Sequence, residues 1–255
     1  MTDMSVYPAE LRPLLSGAEP RDSSGHSGAE TIFIDKAHGY FLKCAPKGEL
    51  ESEAVMTRYF HGKGLSANVA AYISDERDWL LTEKINGSDC TDIKYLEQPE
   101  RLCDIFAERL VMLHSLDFAD CPVLNYTEKY LTRAKQNFHA GNYDSSAFPD
   151  NWGYATAEAA FQVLETQGHL LQTDTLLHGD YCLPNIILDN WRFSGFIDLG
   201  NGGVGDRHID LFWGIWTLWR NLKTDKYRGR FIDAYGREKV NEELLKIIAA
   251  AEVFG

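Results

Sequence analysis

Positive charge is scarce in this 255-residue chain: 25 Lys and Arg stand against 38 Asp and Glu, a formal net charge of −13. That deficit argues against a nucleic-acid-binding surface and is compatible with a cationic ligand. Cysteine is scarce too. Cys44, Cys90, Cys103, Cys121 and Cys182 are odd in number, scattered and never spaced C-x-x-C. This argues against a disulfide framework or a structural zinc site and fits a reducing, cytoplasmic setting. Long apolar runs are missing. The most apolar stretch, Leu211 to Trp219, is far too short to span a bilayer, so no membrane association is expected. The N-terminal MTDMSVYPAELRPLL has no basic region followed by an apolar run, so no signal peptide is expected. There is no internal repeat and no low-complexity segment. What remains, 44% hydrophobic and 25% charged residues, is the composition of a soluble globular protein. The length suits one large domain or two small lobes.

The chain is organised around His178 to Asp198, HGDYCLPNIILDNWRFSGFID. Asn185 to Leu188 reads as a short buried strand, Asp189-Asn190-Trp191 as turn chemistry, and Arg192 to Ile197 as a second strand. A hairpin folded there should bring Asn185, which opens it, near Asp198, which closes it. An amide oxygen beside a carboxylate is a natural pair of hard ligands for Mg²⁺. Asp180, a few residues upstream on a loop with Gly179 and Pro184, could accept a proton from a substrate hydroxyl. This is the layout of phosphoryl transfer. An ordinary hairpin with solvated polar ends explains any one of the three residues, but explains the three together badly.

HGD-x4-N, then a strand, then I-D-x-G resembles the kinase pattern in which a catalytic-loop Asp and Asn precede a metal-binding Asp. Gly179 replaces the Arg of the protein-kinase HRD, and Leu199-Gly200 replaces the Phe-Gly of DFG. That variant resembles the aminoglycoside phosphotransferase family, and HGDxCLPN followed by RFSGFIDxG and DR is most similar to the aminoglycoside 3′-phosphotransferases. The resemblance implies an α+β, bilobal protein-kinase-like fold. It implies a small N-terminal antiparallel-sheet lobe with one helix, residues 1–84, and a larger, mainly helical catalytic and substrate-binding lobe, residues 85–255. It also implies ATP, with GTP as an alternative, and Mg²⁺. Position by position it makes Asp180 the catalytic base, Asn185 and Asp198 the metal ligands, and His178 and Arg207 supports of the loop, with Asp206 sharing that bracing.

The N-terminal third supplies the nucleotide half. Thr31 to Ile34 and Tyr40 to Cys44 read as a hairpin turning at Ala37-His38-Gly39. The small-residue loop before it, with Ser27 and Gly28, can lie over nucleotide phosphates. Glu51 to His61 reads as a helix ended by Gly62 and Gly64. Glu53, three and seven residues before Met56 and Phe60, projects from its apolar side. A carboxylate there needs a partner, and Lys43 on the adjacent strand is the obvious one. The resemblance makes this the Lys–Glu pair that holds the α- and β-phosphates. Val69 to Ile73 and Asp78 to Thr82 continue the sheet, and Asn86-Gly87 breaks it at a hinge. The adenine is expected to pair with backbone groups near Glu83, Lys84 and Ile85.

Beyond the hinge the periodicity turns helical. Leu102, Ile105, Phe106, Leu110 and Leu113 form an apolar face closing on Leu113-His114-Ser115-Leu116-Asp117, where His114 reads as a packed or capping residue. Helices are expected over 126–140, 155–166, 210–219, 226–235 and 242–253. By resemblance the acceptor is a polycationic aminoglycoside bound by carboxylates, and Asp150, Glu252 and Phe254 fall in the matching regions. The match is partial. Asn201 and Ala251 stand where relatives carry charge, and Trp216 to Asn221 is poor in acid. Trp213, Trp216 and Trp219 read as core for at least two of the three.

The expected activity is therefore transfer of the ATP γ-phosphate to an aminoglycoside hydroxyl, of the 3′ type, by a cytoplasmic monomer or weak dimer. A kinase of the same fold acting on another hydroxylated metabolite or antibiotic is the alternative within the class. A non-catalytic nucleotide-binding pseudokinase is the alternative outside it, and intact Asp180, Asn185 and Asp198 disfavour it.

Overall fold

The computed structural model describes residues 6–18, 20–23, 30–143 and 153–255. The chain divides into two compact units, residues 1–88 with 187–200, and residues 89–186 with 201–255. In chain order the first part runs α1 (Arg12–Leu15), β1 (Pro20–Asp22), β2 (Glu30–Ile34), β3 (Tyr40–Pro46), α2 (Glu51–Gly62), β4 (Val69–Ser74), β5 (Arg77–Glu83) and β6 (Ser88–Asp89). Then follow α3 (Ile93–Leu96), α4 (Pro99–His114), α5 (Tyr126–Ala140), α6 (Ala157–Gln167), β7 (Thr175–Leu177), β8 (Ile186–Asp189), β9 (Arg192–Phe196), β10 (Gly203–Gly205), α7 (His208–Leu222), α8 (Arg228–Tyr235) and α9 (Glu242–Glu252). This is the expected α+β, kinase-like architecture, with an antiparallel sheet early in the chain and helices after it.

The first unit is built on a five-stranded antiparallel sheet of order β1-β2-β3-β5-β4. Side chains alternate across a strand, so β3 feeds two cores. Leu42 joins Leu11, Leu15, Ile34 and Leu81 on one face. Ala45 joins Leu50, Ala54 and Leu80 on the other, beneath α2. Lys43, two residues before Ala45, therefore rises on the α2 side. The sequence-predicted hairpin is β8–β9, with Asn190 and Trp191 both at positive φ, 49° and 69°, in its turn. Phe196 N–H donates to Leu65 O at 2.7 Å and its ring meets Phe60 of α2 edge-on. The first strand starts at Ile186, and Asn185 ends a 3₁₀ turn over Leu183–Asn185.

In the second unit, α4 buries Leu102, Cys103, Phe106, Ala107, Leu110 and Leu113, the face its periodicity predicts. α5, α6, α7 and α9 share a core that includes Tyr130, Ala160, Leu164, Ile209, Ile248 and Phe254. β7 pairs antiparallel with β10. The expectation for the α7 tryptophans needs correcting. Trp213 and Trp216 are half-buried and Trp219 is 40% exposed. The face that α7 turns inward is Ile209, Asp210, Gly214, Thr217 and Leu218 instead. No helix among the described residues is long and apolar enough to cross a membrane.

Candidate active site

Each unit carries one group of the polar residues singled out above. In the first, Lys43 Nζ donates to Glu53 Oε1 at 2.7 Å and, more closely still, to Asp198 Oδ1. Lys43 and Glu53 side chains are only 17% and 13% exposed, while Asp198 is 39% exposed. Burial works to lower the Lys43 pKa, but the carboxylates of Glu53 and then Asp198 outweigh it and raise it above the usual lysine value. The side chain is thus held as an ammonium. Asp198 sits at φ 58°, a left-handed conformation that Asp adopts more readily than most residues, just past the end of β9. Gly200, also in this unit, accepts from Ser52 Oγ of α2 at 2.8 Å, tying the segment after Asp198 to the helix that carries Glu53.

In the second unit the loop 178–185 is held by its backbone. Asp210, with no exposed surface, accepts from His178 N–H at 2.8 Å and from Gly179 N–H at 2.7 Å. Asp210 also meets His114 Nε2 at 3.1 Å, and His114 Nδ1 meets Tyr235 Oη at 2.8 Å. Burial pushes the His114 pKa down, so the ring is neutral. With Asp210 as acceptor, its proton lies on Nε2. Tyr181 Oη donates to Phe106 O at 2.7 Å, and Leu183 N–H donates to Thr217 Oγ1 at 3.2 Å. Gly179 lies at φ 82°, and a Cβ there would stand 1.7 Å from Asn201 O. Only glycine fits, which explains why HGD stands where protein kinases have HRD.

Within this frame Asn185 Nδ2 donates to both Asp180 O and Asp180 Oδ2 at 2.9 Å. The amide is thereby oriented, and Asp180 Oδ1 and Asn185 Oδ1 are the atoms left for other partners. Asp180 N–H donates to His178 Nδ1 at 3.3 Å. Arg207 reaches Thr175 Oγ1 at 3.3 Å, just ahead of the loop, and Asp206 Oδ2 accepts from Gln172 N–H at 2.6 Å. The residue that grips the loop itself is therefore Asp210, to which sequence reasoning gave no role. A carboxylate three residues past an Asp-Arg pair, on the first turn of a helix, was the signal available.

The other expected positions are less uniform. Ser27, Gly28 and Asp150 lie outside the described residues. At the expected hinge, Glu83 N–H is spent on Asn68 O at 3.0 Å and Lys84 N–H on Gly39 O at 2.9 Å. Among the described residues, Ile85 has the uncommitted amide of the three. Glu252 is buried at 7% exposure and accepts from Tyr130 Oη and Trp213 Nε1. Phe254 has no exposed surface and sits edge-on to Phe138 and Tyr143, so it supports its surroundings by packing. Trp216 and Trp219, with Phe212, Ile215, Leu245 and Ala249, line a cavity of about 320 Å³ between α7 and α9. Among the described residues no group of three or more His, Cys, Asp or Glu could hold a metal by itself.

A sheet-based unit bearing a Lys–Glu pair, and a helical unit bearing an HGD loop, define a kinase-like phosphotransferase. The family model for the phosphotransferase enzyme family matches residues 20–245, and the chain belongs to that family. It is 49% identical over 254 residues to a probable aminoglycoside 3′-phosphotransferase of Lactococcus lactis subsp. lactis, covering 99% of this chain and 97% of that one. It is 29% identical to an aminoglycoside 3′-phosphotransferase of Niallia circulans, covering 97% of each. Among solved structures, an aminoglycoside-3′-phosphotransferase of type VIII superposes with a TM-score of 0.80 at 25% identity, covering 100% of both chains. The enzyme is thus a phosphotransferase of the aminoglycoside 3′-phosphotransferase-like kind.

Proposed function

We propose that this enzyme transfers the γ-phosphate of ATP, with Mg²⁺, to the 3′-hydroxyl of a kanamycin- or neomycin-type aminoglycoside in the cytoplasm. The names of the two relatives support the acceptor and the position. The observation that carries the reading is the Asp180–Asn185 contact on a loop whose backbone is fixed by Asp210. It is joined by an ammonium, Lys43, held between two carboxylates. Five buried thiols in no disulfide fit the reducing compartment.

In this reading residues 1–84 are the nucleotide lobe and residues 85–255 the catalytic and acceptor lobe. Lys43, oriented by Glu53, binds the nucleotide phosphates, and Ser27, Gly28 and the 83–85 segment complete that site. Asp180 accepts the proton of the acceptor hydroxyl, which becomes acidic only as its bond to phosphorus forms. The Asn185 amide oxygen and the Asp198 carboxylate would hold the metal. Both are hard oxygen donors, and the Nδ2 contacts of Asn185 leave its oxygen available. Two protein ligands suit an ion that keeps water and phosphate in its remaining positions. When bound, it neutralises charge on the transferring group. His178 and Arg207 keep their supporting roles, and Glu252 and Asp150 face the acceptor's amines.

A coupled assay with kanamycin and ATP, with NMR of the product, tests this. A phosphate on the 3′-oxygen is expected. Turnover of sugars or amino alcohols and not of kanamycin would replace the acceptor, in keeping with the acid-poor end of α7. Undiminished turnover by Asp180→Ala would overturn the mechanism.

A further inference from the structure

The 178–185 loop is gripped near one end by Asp210 and near the other by Thr217, and both residues belong to α7. Leu183 has no exposed surface and opens the 3₁₀ turn that ends at Asn185. Its N–H is one of the donors that the start of a helical turn leaves without an internal partner. It donates to Thr217 Oγ1 at 3.2 Å. Thr217 is 1% exposed. A threonine inside a helix divides between two side-chain rotamers, because its hydroxyl can turn back onto the helix's own carbonyls. Asn221, one turn further on, removes that freedom. Its Nδ2 donates to Thr217 O at 2.8 Å and to Thr217 Oγ1 at 3.1 Å. One amide nitrogen bridging the carbonyl and hydroxyl oxygens of a single residue holds that hydroxyl in one place. Asn221 is half-buried, with its amide turned inward.

Asp210 and Thr217 lie two turns apart on one helix, about 10 Å along its axis. The helix fixes that span, so the loop must cover it between Gly179 and Leu183. Asp180 lies between the two anchors, and Asn185 lies in the turn that the second anchor starts. Asn185 in turn holds the Asp180 carboxylate through Nδ2 at 2.9 Å. We propose that Thr217 and Asn221 are positioning residues for phosphoryl transfer. Asn221 locks the Thr217 hydroxyl, Thr217 holds the Leu183–Asn185 turn against α7, and the turn keeps Asn185 in register with Asp180. The acid-poor end of α7 thereby serves the loop. This rests on Asp180 being the base of the proposed reaction. Both residues act through the backbone of the turn, so their loss should be felt in the rate of transfer and not in the binding of either substrate.

The test uses Thr217→Val, which keeps the branched shape and loses the hydroxyl, Thr217→Ser, which keeps the hydroxyl, Asn221→Leu, and the double variant Thr217→Val with Asn221→Leu. With kanamycin and ATP, kcat is expected to fall about tenfold in Thr217→Val and about threefold in Asn221→Leu, with both KM values within about twofold of the wild type. Thr217→Ser should recover kcat to within about twofold. The double variant should be no slower than Thr217→Val, because Asn221 acts only through the hydroxyl. An unchanged kcat in Thr217→Val, or two losses that multiply in the double variant, overturns the proposal and leaves the phosphotransferase reading intact. Amide hydrogen exchange gives a measurement without substrate. Exchange at Leu183 should quicken about tenfold in Thr217→Val and in Asn221→Leu, while His178 and Gly179, held by Asp210, keep their wild-type rates. If the wild type turns over no aminoglycoside, the acceptor reading fails, and exchange alone decides the anchor. Unchanged exchange at Leu183, or an equal rise at all three amides, overturns it.

Discussion

The two groups of polar residues are held in opposite ways. Lys43, Glu53 and Asp198 meet through side-chain charge, one ammonium between two carboxylates. The 178–185 loop is fixed by its backbone, through two N–H groups on the buried Asp210 and a glycine that admits no substituent. An ion pair between flexible side chains can be re-formed around a charged ligand. A backbone clamp cannot, because every atom it holds is already committed. In the proposed reading the difference suits what phosphoryl transfer asks: a nucleotide half must exchange partners in each turnover, while an acceptor half must stay within a fraction of an ångström of one geometry.

Breaking the clamp should cost most. Gly179→Ala and Asp180→Ala are each expected to lower kcat on the order of 10³-fold or more, measured with saturating nucleotide. Gly179→Ala should lower the melting temperature as well, whereas Asp180→Ala should not. Next comes Asp210→Asn. It withdraws the charge that two loop amides and His114 share, and is expected to cost about 2–4 kcal/mol of stability in denaturant unfolding with a parallel loss of kcat. The charge-held side should respond differently. Lys43→Met is expected to lower kcat/KM for nucleotide about 10²-fold, and Glu53→Gln about tenfold. An unchanged nucleotide kcat/KM in Lys43→Met, or no stability loss in Asp210→Asn, would erase the contrast.

The pH dependence sharpens it further. Glu252, free at 4.5 and folded at about 7, adds stability that is fully present below 4.5 and lost as pH rises toward and through 7. Wild-type stability should therefore fall between pH 5 and 8 by up to about 3 kcal/mol more than that of Glu252→Gln. Parallel curves for the two proteins would remove the group from that window. The smallest effect is expected at Trp219→Ala. The side chain is 40% exposed at the cavity rim, so unfolding should change by no more than about 0.5 kcal/mol.

What the sequence discloses about this molecule follows the range of each interaction. The Lys43–Glu53 contact is legible because strand and helix periodicities place both residues on one side of a short β–α connection. The Asp180–Asn185 contact joins residues only five apart, yet the sequence pattern pairs Asn185 with Asp198 and leaves Asp180 separate, because the bend of the 178–185 loop has no periodicity to read. The grip of Asp210 on residues 178 and 179 spans 32 and 31 positions, and the reach of Asp198 to Lys43 spans 155. No local pattern encodes such pairings. The tryptophans of α7 mislead for a related reason. Their i, i+3, i+6 spacing names a helical stripe, but the small residues Gly214 and Thr217 decide which stripe can approach its neighbours. Gly214 lies so close to Phe231 that a Cβ would stand 2.8 Å from its ring. Aromatic bulk was pushed to the flank.

Gly179 also constrains how such a loop can change over evolutionary time. Any side chain introduced there must enter the space of Asn201 O while the backbone stays left-handed. An HGD loop therefore cannot drift to the HRD of protein kinases, or back, through tolerated single substitutions. The backbone at 201 would have to retreat first, carrying with it the turn that follows Asp198. In this chain a side chain at 179 is therefore conditional on a prior change at 201, so the two positions can be altered only together.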